Sequence, residues 1–178
     1  MITTDQLTDV FLIHDVKDYA PQVGILVSMM NYARYTTLQL TNGLTTAQLD
    51  YKIDEDSNTI GMLLYHIASV ERIYQLLTFE HRAPTLEEDR NVLLGLELDD
   101  EARQEIKGHS LSYYVDYLHN TRKQTLTYLQ TIDEDWLFAS GELWGQPTNN
   151  YFKWFYVMEN EMSHRGQMSM ILEKLQKR

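Results

Sequence analysis

Ser57-Asn58-Thr59-Ile60-Gly61-Met62-Leu63-Leu64-Tyr65-His66-Ile67-Ala68-Ser69-Val70-Glu71-Arg72-Ile73-Tyr74-Gln75-Leu76-Leu77-Thr78 is the stretch on which the fold turns. Its polar opening offers side-chain oxygens that cap a helix, and the spacing predicts a helix from Thr59 to Thr78. Ile60, Leu63, Leu64, Ile67 and Tyr74 form one face. Met62, His66, Val70, Ile73 and Leu77 form a second. A helix apolar over so wide an arc must be nearly surrounded by neighbours, and the rest of the chain supplies them.

Upstream, Val23, Leu26, Val27, Met30, Ala33, Thr37 and Leu40 recur at helical spacing. Pro21 suits a first turn and Asn42-Gly43 a helix stop, so a first helix is expected from Pro21 to Asn42. Downstream, Leu111, Tyr114, Val115, Leu118, Arg122, Thr125 and Leu129 predict a third long helix, Leu111 to Thr131, with Ser110 as its cap. Asn149 or Asn150 caps a fourth, Tyr151 to Gln176. Between these lie Thr85–Leu94 and Asp99–Lys107, each readable as a short helix. Asp133 to Asn149, with Trp136, Trp144 and Pro147, reads as a structured loop or a short hairpin. No fixed-period repeat or low-complexity linker divides the chain. The expectation is all-α: one antiparallel four-helix bundle spanning residues 1–178.

Composition narrows the function. The 178 residues carry a net charge of −11, which repels phosphate backbones and argues against nucleic-acid binding. The absence of cysteine excludes disulfides, thiolate ligands and a cysteine nucleophile. No apolar run is long enough to span a membrane, and Met1 to Asp9 does not read as a signal peptide. A cytoplasmic protein fits these features. The chain holds no Gly-rich phosphate loop, no G-x-S-x-G and no His-Glu-x-x-His.

Two histidines stand out because they share apolar helix faces. His66 lies with Met62, Val70, Ile73 and Leu77. His164 lies with Val157, Met168, Ile171 and Leu175. Asn160 and Glu161, at i−4 and i−3, reach toward the same point as His164. If the second and fourth helices are adjacent, the two imidazoles meet in the core. They could then hold a divalent metal, with a carboxylate favouring harder ions. A buried His–Glu or His–Asn hydrogen-bond network explains the same residues. His14, His81, His109 and His119 read as solvated or structural, and Glu87-Glu88-Asp89 as a solvated helix face.

The chain resembles the DinB-like family, which includes the YfiT-type metal-dependent hydrolases. The resemblance rests on Ser57 to Ala68 with Glu71 following, on Ser163-His164-Arg165-Gly166-Gln167, and on Asn31-Tyr32-Ala33-Arg34 leading to Leu44-Thr45. It covers about residues 21 to 175. It implies an up-down-down-up bundle, often a homodimer, with one divalent metal (Zn or Ni) held by three histidines. The helix 2 ligand maps to His66 and the second helix 4 ligand to His164. The first helix 4 ligand maps to Asn160, a poorer donor for those metals, which leaves Glu161 as a substitute or the site vacant.

Two functions follow from the resemblance. One is a metal-dependent thiol S-transferase or hydrolase acting on a small molecule, with a low-molecular-weight thiol as partner. In it, Glu71 or Arg165 orients the site, while Tyr65 and Trp144 wall the substrate cavity. The other is a non-catalytic bundle with a degenerate metal site, serving as a small-molecule binding or interaction module.

Overall fold

The computed structural model describes residues 9–177. Its elements are α1 (Pro21–Thr41), α2 (Thr46–Leu49), α3 (Ile60–Thr78), α4 (Leu86–Glu97), α5 (Asp100–Glu105), α6 (Leu111–Leu129), α7 (Glu134–Phe138), β1 (Ser140–Leu143), β2 (Gln146–Asn149) and α8 (Asn150–Gln176). Six of the eight described helices start at a short polar side chain that accepts an otherwise unpaired backbone N–H, while α1 relies on Pro21 in its first turn after Ala20. Thr59 Oγ1 accepts from Met62 N at 3.2 Å, and Asn149 Oδ1 accepts from Phe152 N at 2.8 Å. Ser110 differs from expectation: it precedes α6, but its hydroxyl bonds Ser112 Oγ instead of capping the helix. α1 stops at Asn42, and Gly43 adopts a positive φ of 75°, which glycine tolerates without strain.

The long helices stand where the apolar spacing puts them, within one or two residues at their ends. The connecting segments differ more. The helix expected to end at Leu94 continues to Glu97, so Gly95 lies inside it. Asp133–Asn149 divides into α7 and an antiparallel hairpin in which Ser140 faces Asn149 and Leu143 faces Gln146. No described helix is long and apolar enough to cross a membrane.

Side-chain pairings fix the helix directions. Ser69 meets Tyr117, and Gln75 meets Thr121 and Thr125, so α3 and α6 run parallel. Arg34 meets Glu161, and Arg165 meets Thr36, so α1 and α8 run parallel. His66 lies by His164 and Tyr74 by Tyr156, so α3 and α8 are antiparallel. Arg34 reaches the Leu118 carbonyl and Arg122 that of Met30, so α1 and α6 are antiparallel too. The order is up-down-down-up. The parallel α3–α6 pair requires a crossover, which α4 and α5 provide, with α4 packed on α3.

The apolar interior falls into two clusters. One joins Leu63, Leu64 and Ile67 of α3 to Tyr114 and Leu118 of α6 and to Met168 and Ile171 of α8. The other joins Val23, Leu26, Val27 and Met30 of α1 to Tyr74, Leu129, Trp154 and Val157. Trp154 is fully buried, and its indole N–H donates to Thr78 Oγ1 at 3.2 Å, as a buried indole requires.

Candidate functional site

α3 and α8 bring His66 and His164 together. Their ring centroids lie 4.6 Å apart with the planes inclined at 77°. His66 is buried and His164 half-buried. His66 Nδ1 lies 2.8 Å from the carbonyl oxygen of Gly95 on α4. A carbonyl only accepts, so Nδ1 carries the proton and Nε2 presents its lone pair. The Asn160 amide nitrogen sits 3.5 Å from that Nε2. Burial, with His164 second, lowers the His66 pKa from 6.5 to about 4, and burial lowers that of His164 as well. Both rings are therefore neutral at pH 7, each with a lone pair available to a metal. His164 Nδ1 is 3.1 Å from Gln167 Oε1, which orients the second ring.

Asn160 contributes a different feature. It is nearly buried, and its Oδ1 has no hydrogen-bond partner, although buried polar atoms are normally satisfied. Glu161 is 1% exposed but is directed elsewhere. Its carboxylate accepts from Arg34 Nε at 2.8 Å and from Arg122 Nη2 at 3.3 Å. Among the described residues, no group of three His, Cys, Asp or Glu side chains could hold a metal ion. Available beside one another are two imidazoles and one neutral amide.

A family model for mycothiol S-transferases matches residues 25–176. The chain belongs to the mycothiol S-transferase family. No curated protein matches the sequence. Among solved structures, a conserved protein from Enterococcus faecalis is similar with TM-score 0.66 at 16% identity, covering 86% of this chain and 96% of its own. A DinB-like protein from Bacillus cereus ATCC 10987 gives TM-score 0.63 at 18% identity, covering 85% and 91% respectively. At such identities the likeness concerns the fold, which is the DinB-like bundle.

The remaining candidates in this mycothiol S-transferase family member lie as follows. Glu71 is fully buried between Arg34 and Arg122. Burial alone would raise its pKa, but the two guanidiniums outweigh it and hold the carboxyl below its ordinary value. Arg165 reaches back to Thr36 and the Ala33 carbonyl on α1. Tyr65 is buried, tilted against Tyr117 at 4.7 Å. Trp144 stands 66% exposed at the hairpin turn, edge-on to Tyr156. Of the other histidines, His14 meets the Asp15 carbonyl and His109 is stacked on Tyr113 at 3.9 Å.

No role is read from the sequence for Gly95, for Gln167 or for the paired arginines Arg34 and Arg122. Gly95 gave no signal, because a backbone carbonyl is common to all residues. Arg34 did give one: it interrupts the apolar face formed by Met30, Ala33 and Thr37, and a charge there must be paired.

Proposed function

We propose that the protein is a cytoplasmic, metal-dependent thiol S-transferase of the DinB-like type, acting on a small molecule with a low-molecular-weight thiol as co-substrate. The observation that carries the reading is the convergence of two neutral imidazoles, one with its tautomer set by the Gly95 carbonyl. Metal-bound histidines characteristically have their other ring nitrogen held in this way. The unpartnered Asn160 Oδ1 fits a third, weaker donor once the amide turns over, a rotation that leaves its shape unchanged. Glu161, paired with Arg34 and Arg122, is not among the donors in this reading.

His66, His164 and Asn160 would hold the ion, with positions left open for substrate. Bound there, a divalent metal supplies a Lewis acid that favours the thiolate over the thiol at neutral pH. The chain's own residues do the rest. Gly95 keeps the His66 proton on Nδ1, so Nε2 stays a donor. Gln167 steadies the His164 ring. The lowered imidazole pKa values keep both rings from competing protonation. The reading includes a homodimer, for which Trp144 and Phe152 lining one shallow recess, with Phe155 beside Phe152, offer an apolar contact.

A second reading has an observation of its own. An amide stands where a third imidazole would, a poorer donor for Zn or Ni, and among the described residues no group of three His, Cys, Asp or Glu side chains could take its place. That favours a bundle that binds a small molecule in a site with weakened metal affinity. The discriminating experiment is elemental analysis of protein purified without a His-tag or chelator, with melting curves in added Zn, Ni, Mn and Fe. Stoichiometric metal that disappears in His66→Ala/His164→Ala supports the enzyme reading, to be followed by a thiol-transfer assay with a generic electrophile. No binding and no rise in melting temperature with any of the four ions leaves the second reading.

A further inference from the structure

The two apolar clusters are separated by a layer of charge. Each long helix contributes one residue: Arg34 from α1, Glu71 from α3, Arg122 from α6 and Glu161 from α8, all 6% exposed or less. The layer is neutral in sum and closely bonded. Arg34 donates through Nε to Glu161 at 2.8 Å and through Nη2 to Glu71 at 3.0 Å. Arg122 donates to Glu71 Oε1 at 2.7 Å and to Oε2 at 3.1 Å, and to Glu161 at 3.3 Å. The remaining guanidinium donors reach the carbonyls of Leu118 and Met30, and Thr125 Oγ1 donates to Glu71 at 2.7 Å.

Such a layer is poor at adding stability, because desolvating four charges offsets most of their attraction. It is well suited to fixing register, since each carboxylate meets its fork in one geometry only. α8 has particular need of this. Between Met158 and Met168, the buried residues of that helix are Asn160 and Glu161. The partly buried Met162 adds one apolar contact there, so packing of large apolar side chains leaves these middle turns weakly defined, and they carry the proposed site. A slip of one residue would rotate α8 by about 100° and shift it about 1.5 Å, swinging His164 and Asn160 away from His66.

We propose that the Arg34–Glu71–Arg122–Glu161 layer is a positioning set that locks the rotation of α8 and so holds His164 and Asn160 against His66. As a statement about metal binding it rests on the proposed reading of the site; as a statement about the two rings it does not. Glu161 adjoins Asn160 in sequence and lies three residues before His164, so the anchored carboxylate and the two site residues move as one turn.

The test is the charge-balanced double variant Arg34→Met/Glu161→Met, which keeps volume and removes an ion pair without stranding a single charge. Three readouts are compared with the parent: the melting temperature, the NMR Overhauser contact between the His66 and His164 ring protons, and Zn²⁺ affinity by calorimetry. The expected result is a folded protein that has lost the ring contact and binds Zn²⁺ at least tenfold more weakly. A folded variant with the ring contact intact overturns the proposal. Should the double variant not fold, Glu161→Gln retains the side-chain shape and gives the same decision from the same ring contact. If the parent itself binds no Zn²⁺, the ring contact still decides this inference, and the metal reading fails only if Ni, Mn and Fe do not bind either.

Discussion

Replacing Gly95 with alanine probes the site through the backbone that supports it. Gly95 lies inside α4, where alanine is the better helix former by about 1 kcal/mol, so on local grounds the change stabilises. Tertiary contact opposes it. A Cβ at this position would stand 2.7 Å from Tyr65 Cδ1 and 2.8 Å from Ser69 Cβ, and closer still to Ser69 Oγ. Tyr65 and Ser69 are both buried on α3, so α4 must withdraw. Overpacking of this kind costs about 1–3 kcal/mol. Withdrawal also stretches the 2.8 Å bond from His66 Nδ1 to the Gly95 carbonyl, whose net worth is about 1 kcal/mol. Set against the propensity gain, the sum is a loss of about 1–3 kcal/mol. For a chain of this size that lowers the melting temperature by roughly 2–12 °C. Circular dichroism melts measure it, and the His66 Nδ1 proton, which the bond to the Gly95 carbonyl should protect in the parent, should exchange faster and broaden in the NMR spectrum of the variant. An unchanged or higher melting temperature, with that proton still protected, would refute the reasoning that α4 is seated by a missing side chain.

Three further outcomes are expected. The folded His66 titrates at about 4 against an ordinary 6.5, so the unfolded chain takes up this proton first. Stability is then undiminished above pH 6.5 and falls by ~3 kcal/mol as pH drops toward 4; urea titrations at pH 7 and 4.5 should show a smaller pH difference for His66→Gln than for the parent. Glu71→Gln removes one charge from the buried layer and leaves both arginines under-compensated, a loss of about 3–5 kcal/mol. The pair Glu71→Met/Arg122→Met should cost clearly less in the same denaturation assay, and equal costs would contradict the ion-layer account. Thr59→Ala deletes the α3 cap and should lower stability by about 1 kcal/mol; a urea midpoint unchanged from the parent would remove the cap from the account of why α3 starts there.

How far the chain could be read from its letters depended on what each feature rests upon. The long helices were legible because their apolar residues recur at 3.6, and that period survives whatever packs against it. The segment between α3 and α6 was harder because its helices are short and charged, so little periodicity distinguishes them from loop. The part of it that reaches His66, the Gly95 carbonyl, belongs to the backbone and has no letter of its own. The up-down-down-up order came from likeness to the DinB-like family, since helical spacing says which face is buried but not which neighbour covers it.

The same limit explains the fate of the four residues singled out for a metal. His66, His164, Asn160 and Glu161 all lie on inward faces, and sequence spacing treats the last three as one group because i−4 and i−3 fall on one side of α8. In the bundle, however, Asn160 and Glu161 are adjacent residues, set about 100° apart around the helix. That angle is enough to send the carboxylate between Arg34 and Arg122 while the amide faces His66. A carboxylate follows the nearest buried cation because leaving either unpaired costs more than any alternative contact returns. Two arginines on α1 and α6 thus decided which α8 residue remained at the histidines, and both were visible in the sequence as charges interrupting apolar faces. A buried acid should accordingly be assigned to a buried base on a neighbouring helix before it is assigned to a metal, and only the residues left over should be counted as ligands.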